Sequence, residues 1–193
     1  MLQFFDKNKQ VAGTDEAGRG CLSGPVTAAA VILPKSFKHP LLNDSKKLSA
    51  AQRAILAPII KEKSIGYAVS HVFPEVIDEI NILQASILAM HQSLSKLDPT
   101  PELIIVDGNK FNPYPNIPHK TVVKGDGKYY SIAAASVLAK TARDAYMLSL
   151  HKKHPKYAWD KNMGYPTQEH KKAIKAFGVT SFHRKTFRGV KEE

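Results

Sequence analysis

Two adjacent acids, Asp15 and Glu16, and two isolated ones, Asp107 and Asp126, each stand where a short run with strand character gives way to glycine. Asp15-Glu16 closes the stretch that begins at Val11, Asp107 closes Leu103-Ile104-Ile105-Val106, and Asp126 follows Thr121–Lys124 between two glycines. In α/β sheets the functional crevice lies off strand ends, where side chains from segments distant in sequence can meet. Carboxylates gathered there repel one another and resist desolvation unless cations offset their charge. Their oxygens, with no clustered His beside them and Cys21 as the sole cysteine, suit hard ions such as Mg²⁺ or Mn²⁺ rather than zinc. Two such ions ~3.5–4 Å apart can activate a water and stabilise the leaving oxygen of a phosphodiester. Taken singly, each Asp before Gly is equally a turn signal. Successive strand residues point to opposite faces, so Asp15 and Glu16 both aim inward only if the strand ends there; otherwise Glu16 contributes through its backbone or a water.

The elements that must position these acids read as strands interleaved with helices. Val11–Asp15 is a strand, Glu16–Gly24 a tight turn, and Val26–Leu33 a second strand stopped by Pro34. Ser49 with Gln52 three residues on is a capping-box pattern, opening an amphipathic helix over Ala51–Lys63. Ser64–Phe73 alternates as a strand, and Pro74 opens helical patterning to about Leu97. The continuous apolar run Leu103–Val106 is a strand covered on both faces, placed in the centre of the sheet. Phe111–Pro118, with its prolines, is a loop; Thr121–Lys124 is a short strand; and an Ala- and Ser-rich helix runs from Tyr130 to about Leu150. From residue 151 onward only helix and loop are expected, with neither repeats nor low-complexity sequence. The expected fold class is α/β with a mixed central sheet flanked by helices.

A chain of 193 residues supports one well-cored domain with at most a small appendage. Its 43% hydrophobic and 23% charged content excludes disorder and fibrous architecture. The formal net charge of +11 favours an anionic partner. The excess is concentrated, with 11 Lys and Arg against 4 Asp and Glu in residues 151–193. Solubility alone is the competing explanation for such a surface. No apolar run approaches the ~18 residues that span a bilayer, so no membrane partner is expected. Met1–Gln10 is too polar for a secretory signal core, which with the single cysteine makes the cytoplasm the default location.

Gly13-Thr14-Asp15-Glu16-Ala17-Gly18-Arg19-Gly20 followed by Ser23-Gly24-Pro25-Val26 closely resembles the signature opening of the type 2 ribonucleases H, the ribonuclease HII family. Further blocks are similar to that family in order: Asp44-Ser45-Lys46-Lys47-Leu48-Ser49, Ile105-Val106-Asp107-Gly108, Lys124-Gly125-Asp126, Ala133–Lys140 with Arg143-Asp144, and Gly164-Tyr165-Pro166-Thr167 through His170. The resemblance runs from about residue 11 to His183-Arg184. It implies a ribonuclease H-like catalytic domain over 1–150 and a basic helical C-terminal extension, 151–193, packed on it and contributing to substrate binding. It implies catalytic, metal-ligating roles for Asp15, Glu16, Asp107 and Asp126 with Mn²⁺ or Mg²⁺. It also implies hydrolysis of the RNA strand of RNA–DNA hybrids, and incision of duplex DNA 5′ of a single ribonucleotide to leave 3′-hydroxyl and 5′-phosphate ends. In the family the Gly18-Arg19-Gly20 segment and Tyr165 would read the ribose 2′-hydroxyl, the group that separates RNA from DNA at one nucleotide. Glycines let the backbone approach closely, and a tyrosine can stack on the neighbouring sugar. Without the resemblance, Tyr165 reads as a partly buried core tyrosine.

Ser136, Lys140 and Asp144 share one helix face, where Ser136 and Lys140 could meet a phosphate or Lys140 could simply pair with Asp144. Lys46 and Lys47 are candidate phosphate contacts, as are Lys171, Lys172, Lys175, Arg184, Lys185 and Arg188 collectively. His170 and His183 are candidates for a proton shuttle. A monomer is expected, and recruitment by a replication clamp stays open. Two rival classes fit the acids and the basic surface: another metal nuclease, or a catalytically silent nucleic-acid binding module.

Overall fold

The computed structural model describes residues 2–42 and 48–190. Five strands, β1 (Val11–Ala17), β2 (Val26–Ile32), β3 (Gly66–Val72), β4 (Leu103–Asp107) and β5 (His119–Val122), form one mixed sheet in the order β3-β2-β1-β4-β5. Pairings β1–β2 and β2–β3 are antiparallel, whereas β1–β4 and β4–β5 are parallel. The middle strand is therefore β1. The apolar run 103–106 lies beside it, fully buried as its composition predicts, but one place off centre.

Alternation along β2 divides the core in two. Ala28, Ala30 and Ile32 face helix α2 (Pro74–Leu94), while Ala29 and Val31 face α1 (Ala50–Lys63) and α3 (Tyr130–Lys153). The alanines of α3 let it lie close on the sheet, with Ala133, Ala134 and Ala135 wholly buried. At the tightest point only glycine fits: a Cβ on Gly13 of β1 would lie 2.3 Å from the Ser131 carbonyl carbon. This approach carries α3 across the sheet next to the acids of β1.

Local signals set most boundaries. Ser49 and Gln52 form the expected reciprocal capping box at the start of α1. Helix α2 is not continuous as its periodicity suggests: Asn81 takes φ 68° and ψ 164°, and its Oδ1 accepts from Leu83 N and Gln84 N, capping the second half. That backbone conformation is unfavourable for a non-glycine residue, and the two hydrogen bonds that the Asn81 side chain accepts at the new helix start offset it, so the cap wins over the helical pattern. Strand β5 is shifted two residues towards the N-terminus of the expected Thr121–Lys124, and it ends at Val122 because Lys124 adopts the left-handed conformation (φ 56°) and turns the chain into a single 3₁₀ turn, Gly125–Gly127.

Beyond α3, the 3₁₀ turn Pro155–Tyr157 and helices α4 (Trp159–Asn162) and α5 (Gln168–Phe177) gather around Met147, Leu150, Tyr157, Trp159 and Ala173. This part folds back onto the β1–β2 loop, where Leu22 N donates to Gly164 O at 2.7 Å and Gly24 N to Phe182 O at 2.8 Å. Among the described residues, no helix is long and apolar enough to cross a membrane.

Candidate active site

Strand β1 is held on both sides only as far as Thr14. Its parallel ladder to β4 ends at Thr14↔Val106, while its antiparallel ladder to β2 continues to Ala17↔Thr27. Asp15 and Glu16 stand where β1 and β4 part, and Asp107 ends β4 on the other side of that fork. All three line a cavity of about 420 Å³. Glu16 and Asp107 also line a smaller adjoining space of about 60 Å³ with Arg19. Alternation persists between the adjacent acids, since β1 stays regular through Ala17: Asp15 meets Ser136 on the α3 side, while Glu16 borders both the larger cavity and the smaller space against α2.

The acids differ in their surroundings. Asp15 is 5% exposed; its Oδ1 accepts from Glu16 N at 2.7 Å, and Ser136 donates to it. Burial, reinforced by the charges of Glu16 and Asp107, pushes its carboxyl well above the usual range. Glu16 is raised by burial too, opposed by Arg19, whose Nη1 lies 3.2 Å from Glu16 Oε1. Asp107 Oδ1 accepts from Gly125 N at 2.6 Å, which fixes the 3₁₀ turn to the end of β4. Asp126, the next residue, is 2% exposed in that turn and is not among the residues lining the cavity. It lies four residues beyond the end of β5, not at a strand end as its sequence context suggests.

Among the described residues no three His, Cys, Asp or Glu side chains close into a metal cage. The donor set nonetheless fits a hard divalent cation: three carboxylate residues line one space, and burial first, then the charges of Glu16 and Asp107, drive the Asp15 carboxyl towards protonation. A cation at that point would reverse the sign of the perturbation.

Ser136 and Lys140 of α3 line the same cavity, as does Tyr165, which is 40% exposed. Lys140 also sits 3.9 Å from Asp144 Oδ1, the pairing that the helix spacing allows. Gly18 has φ 90°, and Gly20 is open, with nothing within 4 Å of an added Cβ. Arg19 is exposed. Lys46 and Lys47 lie outside the described residues.

Burial rules out two of the roles expected from the sequence. His170 and His183 are buried away from the cavity: Trp159 Nε1 donates to His170 Nε2 at 3.1 Å, and the two His Nε2 atoms lie 3.3 Å apart. A proton shuttle needs access, which these packed rings lack. Arg184 is not a surface phosphate contact but wholly buried, donating to backbone carbonyls; Lys171, Lys172, Lys175, Lys185 and Arg188 are exposed. Sequence reasoning also missed Arg53, which lines the cavity, donates to Leu48 O at 2.7 Å and pairs with Asp144 at 3.1 Å. A signal existed, because Arg53, Leu56, Ala57 and Ile60 share the buried stripe of α1, where a charge is out of place.

The family model described as Ribonuclease HII matches residues 12–190. The chain is similar to a ribonuclease HII of Christiangramia forsetii, 60% identical over 97% of this chain and 95% of the relative. Its fold is similar to the crystal structure of ribonuclease H2 from Pyrococcus horikoshii, with TM-score 0.78, 27% identity, and 94% and 95% of the two chains covered. It is also similar to Bst-RNase HIII solved in complex with Mn²⁺, with TM-score 0.72 and 19% identity over 94% of this chain and 68% of that one, a likeness of fold alone.

Proposed function

The chain belongs to the ribonuclease HII family and is a nuclease of RNA strands in RNA–DNA hybrids, and on that premise we propose that it also incises duplex DNA 5′ of a single embedded ribonucleotide, leaving 3′-hydroxyl and 5′-phosphate ends. The observation that carries this reading is the fork between β1 and β4, where buried Asp15 meets the charges of Glu16 and Asp107 beside the Gly18-Arg19-Gly20 turn, buried at Gly18 and exposed at Arg19 and Gly20. Mn²⁺ or Mg²⁺, as two ions held by Asp15, Glu16, Asp107 and Asp126, would supply the activated water and offset the charge that develops on the phosphate.

The chain's own groups have separable tasks in this proposal. Asp15 and Asp107 offer oxygens from rigid strand ends, Glu16 from the open edge, and Asp126 from the turn that Asp107 anchors. Ser136 and Lys140 meet the phosphate beside the cleaved bond, and Lys46 and Lys47 contact phosphates further along. The backbone of Gly18, Arg19 and Gly20 and the ring of Tyr165 read the ribose 2′-hydroxyl and the sugar next to it. The exposed Lys and Arg of the C-terminal part set affinity and its salt dependence, not selectivity. The protein works as a cytoplasmic monomer in this reading, with residues 151–193 forming one substrate surface with the catalytic domain over 1–150.

The test is incision of a labelled DNA duplex carrying one ribonucleotide, with Mg²⁺, Mn²⁺ or EDTA. A metal-dependent nick at that nucleotide only is expected. Equal cutting of an all-DNA duplex points to a different metal nuclease, and binding without cutting points to a silent module.

A further inference from the structure

Behind the Gly-Arg-Gly turn lie two guanidiniums, Arg143 and Arg184, at 1% and 0% exposure. Among the described residues neither forms an ion pair. Each spends its donors on main-chain carbonyls instead. Arg184 Nη2 donates to Gly18 O at 2.7 Å and to Gly24 O at 3.0 Å, Nη1 to Arg19 O at 2.9 Å, and Nε to Gly24 O at 3.1 Å. Arg143 Nε donates to Pro25 O at 3.0 Å, Nη2 to Ser23 O at 3.1 Å, and Nη1 to Met163 O at 2.9 Å, two residues before Tyr165. Burying a cation without a counter-ion is unfavourable, and an apolar side chain would fill the same space without that penalty. What only the guanidinium provides is a rigid fork of donors that fixes several carbonyls at once.

The direction in which those carbonyls are drawn matters. In a trans peptide the N–H points opposite to the C=O. With the Gly18 and Arg19 carbonyls turned inward to Arg184, the amides of Arg19 and Gly20 point outward, where Gly20 has open space in front of it. Among the described residues neither amide has a backbone acceptor. Arg143 ties the same loop to the turn that carries Tyr165 and packs so closely that a Cβ on Gly18 would fall 2.0 Å from its Nε.

We infer that Arg143 and Arg184 are positioning residues: they hold the Arg19 and Gly20 amides outward at a fixed spacing from Tyr165, and so set selectivity for a single ribonucleotide without touching the nucleic acid. The inference rests on the proposed reading of the ribonucleotide by this turn. It differs from the phosphate-contact role that charge alone suggests for Arg184.

Cys21, the sole cysteine, is completely buried in the clamped loop and reports on it directly. Lysine keeps the charge but lacks the fork. In Arg184→Lys and Arg143→Lys, the rate of Cys21 modification by a small disulfide reagent should rise about tenfold or more while the melting midpoint of the sheet domain is kept, as expected when opening is local. The ratio of kcat/KM on a single-ribonucleotide duplex to that on a continuous RNA–DNA hybrid should fall about tenfold. The slope of log Kd against log salt should not change, since no phosphate contact is removed. In the unsubstituted protein, the Leu22, Gly24 and Arg184 amides that bridge the three segments should exchange with deuterium as slowly as those of β1 and β2, a measurement that stands even if a variant fails to fold. Fast exchange there, or folded variants that keep both Cys21 protection and the substrate ratio, would overturn the inference. A shallower salt slope with the ratio intact would return Arg184 to phosphate binding. If the unsubstituted protein does not nick the single-ribonucleotide duplex at all, the functional reading fails, and the exchange data then judge the clamp by itself.

Discussion

Asp107 joins two tasks in one carboxylate: one oxygen holds the Gly125 amide, and the side chain faces Asp15 and Glu16 across the fork. Asp107→Asn keeps an oxygen for the Gly125 amide and removes the negative charge. We therefore expect the fold and most duplex affinity to survive while turnover falls by at least about a thousandfold, matching the several kcal/mol that a misplaced metal forfeits. Circular dichroism, a binding titration and single-turnover incision separate these effects, and incision at the normal rate would contradict the assignment. Tyr165→Ala should leave Mn²⁺ binding by calorimetry unchanged yet reduce the preference for the ribonucleotide junction by about 1–3 kcal/mol, the range for loss of a stacked ring. The convergence of Asp15, Glu16 and Asp107 on one cavity was legible from their places beside strand runs, whereas Tyr165, which reads as a core tyrosine from its context, was picked out only by the family resemblance. Arg53 and Arg143 were harder: their functional content is burial, and burial of a charge shows only once a helix's apolar stripe is aligned, as Arg143 with Ala139, Met147 and Leu150 on α3.

At the scale of elements, α3 reaches the acids because β1 carries glycine where the helix crosses it. Gly13→Ala places a methyl against main chain at 2.3 Å, which a flexible side chain could have relieved but a carbonyl carbon cannot. Overpacking of this kind costs about 1–3 kcal/mol or more, so a lowered urea midpoint and displaced Ser136 and Lys140 are expected, with slower incision beyond the loss of folded protein. An unchanged midpoint would refute the tight crossing. The strand and helix order followed from hydrophobic period and turn residues, and the Ser49–Gln52 box fixed one boundary outright. The break in α2 at Asn81 and the early end of β5 did not follow, because each depends on one residue taking a positive-φ conformation against its surrounding pattern. Pairing order was also beyond the periodicity: a run buried on both faces, such as Leu103–Val106, reads the same in the middle of a sheet as one strand away from it.

Across the molecule, Asp15, Glu16 and Asp107 converge at the fork while the described lysines of the C-terminal part and Arg188 stay on the outside and Arg184 alone of its arginines turns inward, and that part is pinned to the β1–β2 loop through a core of rings and neutral histidines. Burial lowers His183 from 6.5 to about 4, with His170 and His154 adding to the effect. Between those values an unfolded chain binds a proton that the folded one refuses. Stability is thus complete above pH 6.5 and falls as the pH drops towards 4, by at most about 3 kcal/mol from this group. His183→Gln should flatten that part of the melting-temperature profile, and an unaltered profile would show that the ring is not held neutral. Anomalous diffraction from crystals grown with Mn²⁺ and a duplex containing one ribonucleotide would locate the metal. Mn²⁺ is expected at the fork, within coordination distance of Asp15 and Asp107, with Glu16 and Asp126 completing the ligands and the ribonucleotide's phosphate between the metal and Lys140. Mn²⁺ bound elsewhere, or a filled fork that leaves Asp107 turned to the Gly125 amide alone, would contradict this arrangement.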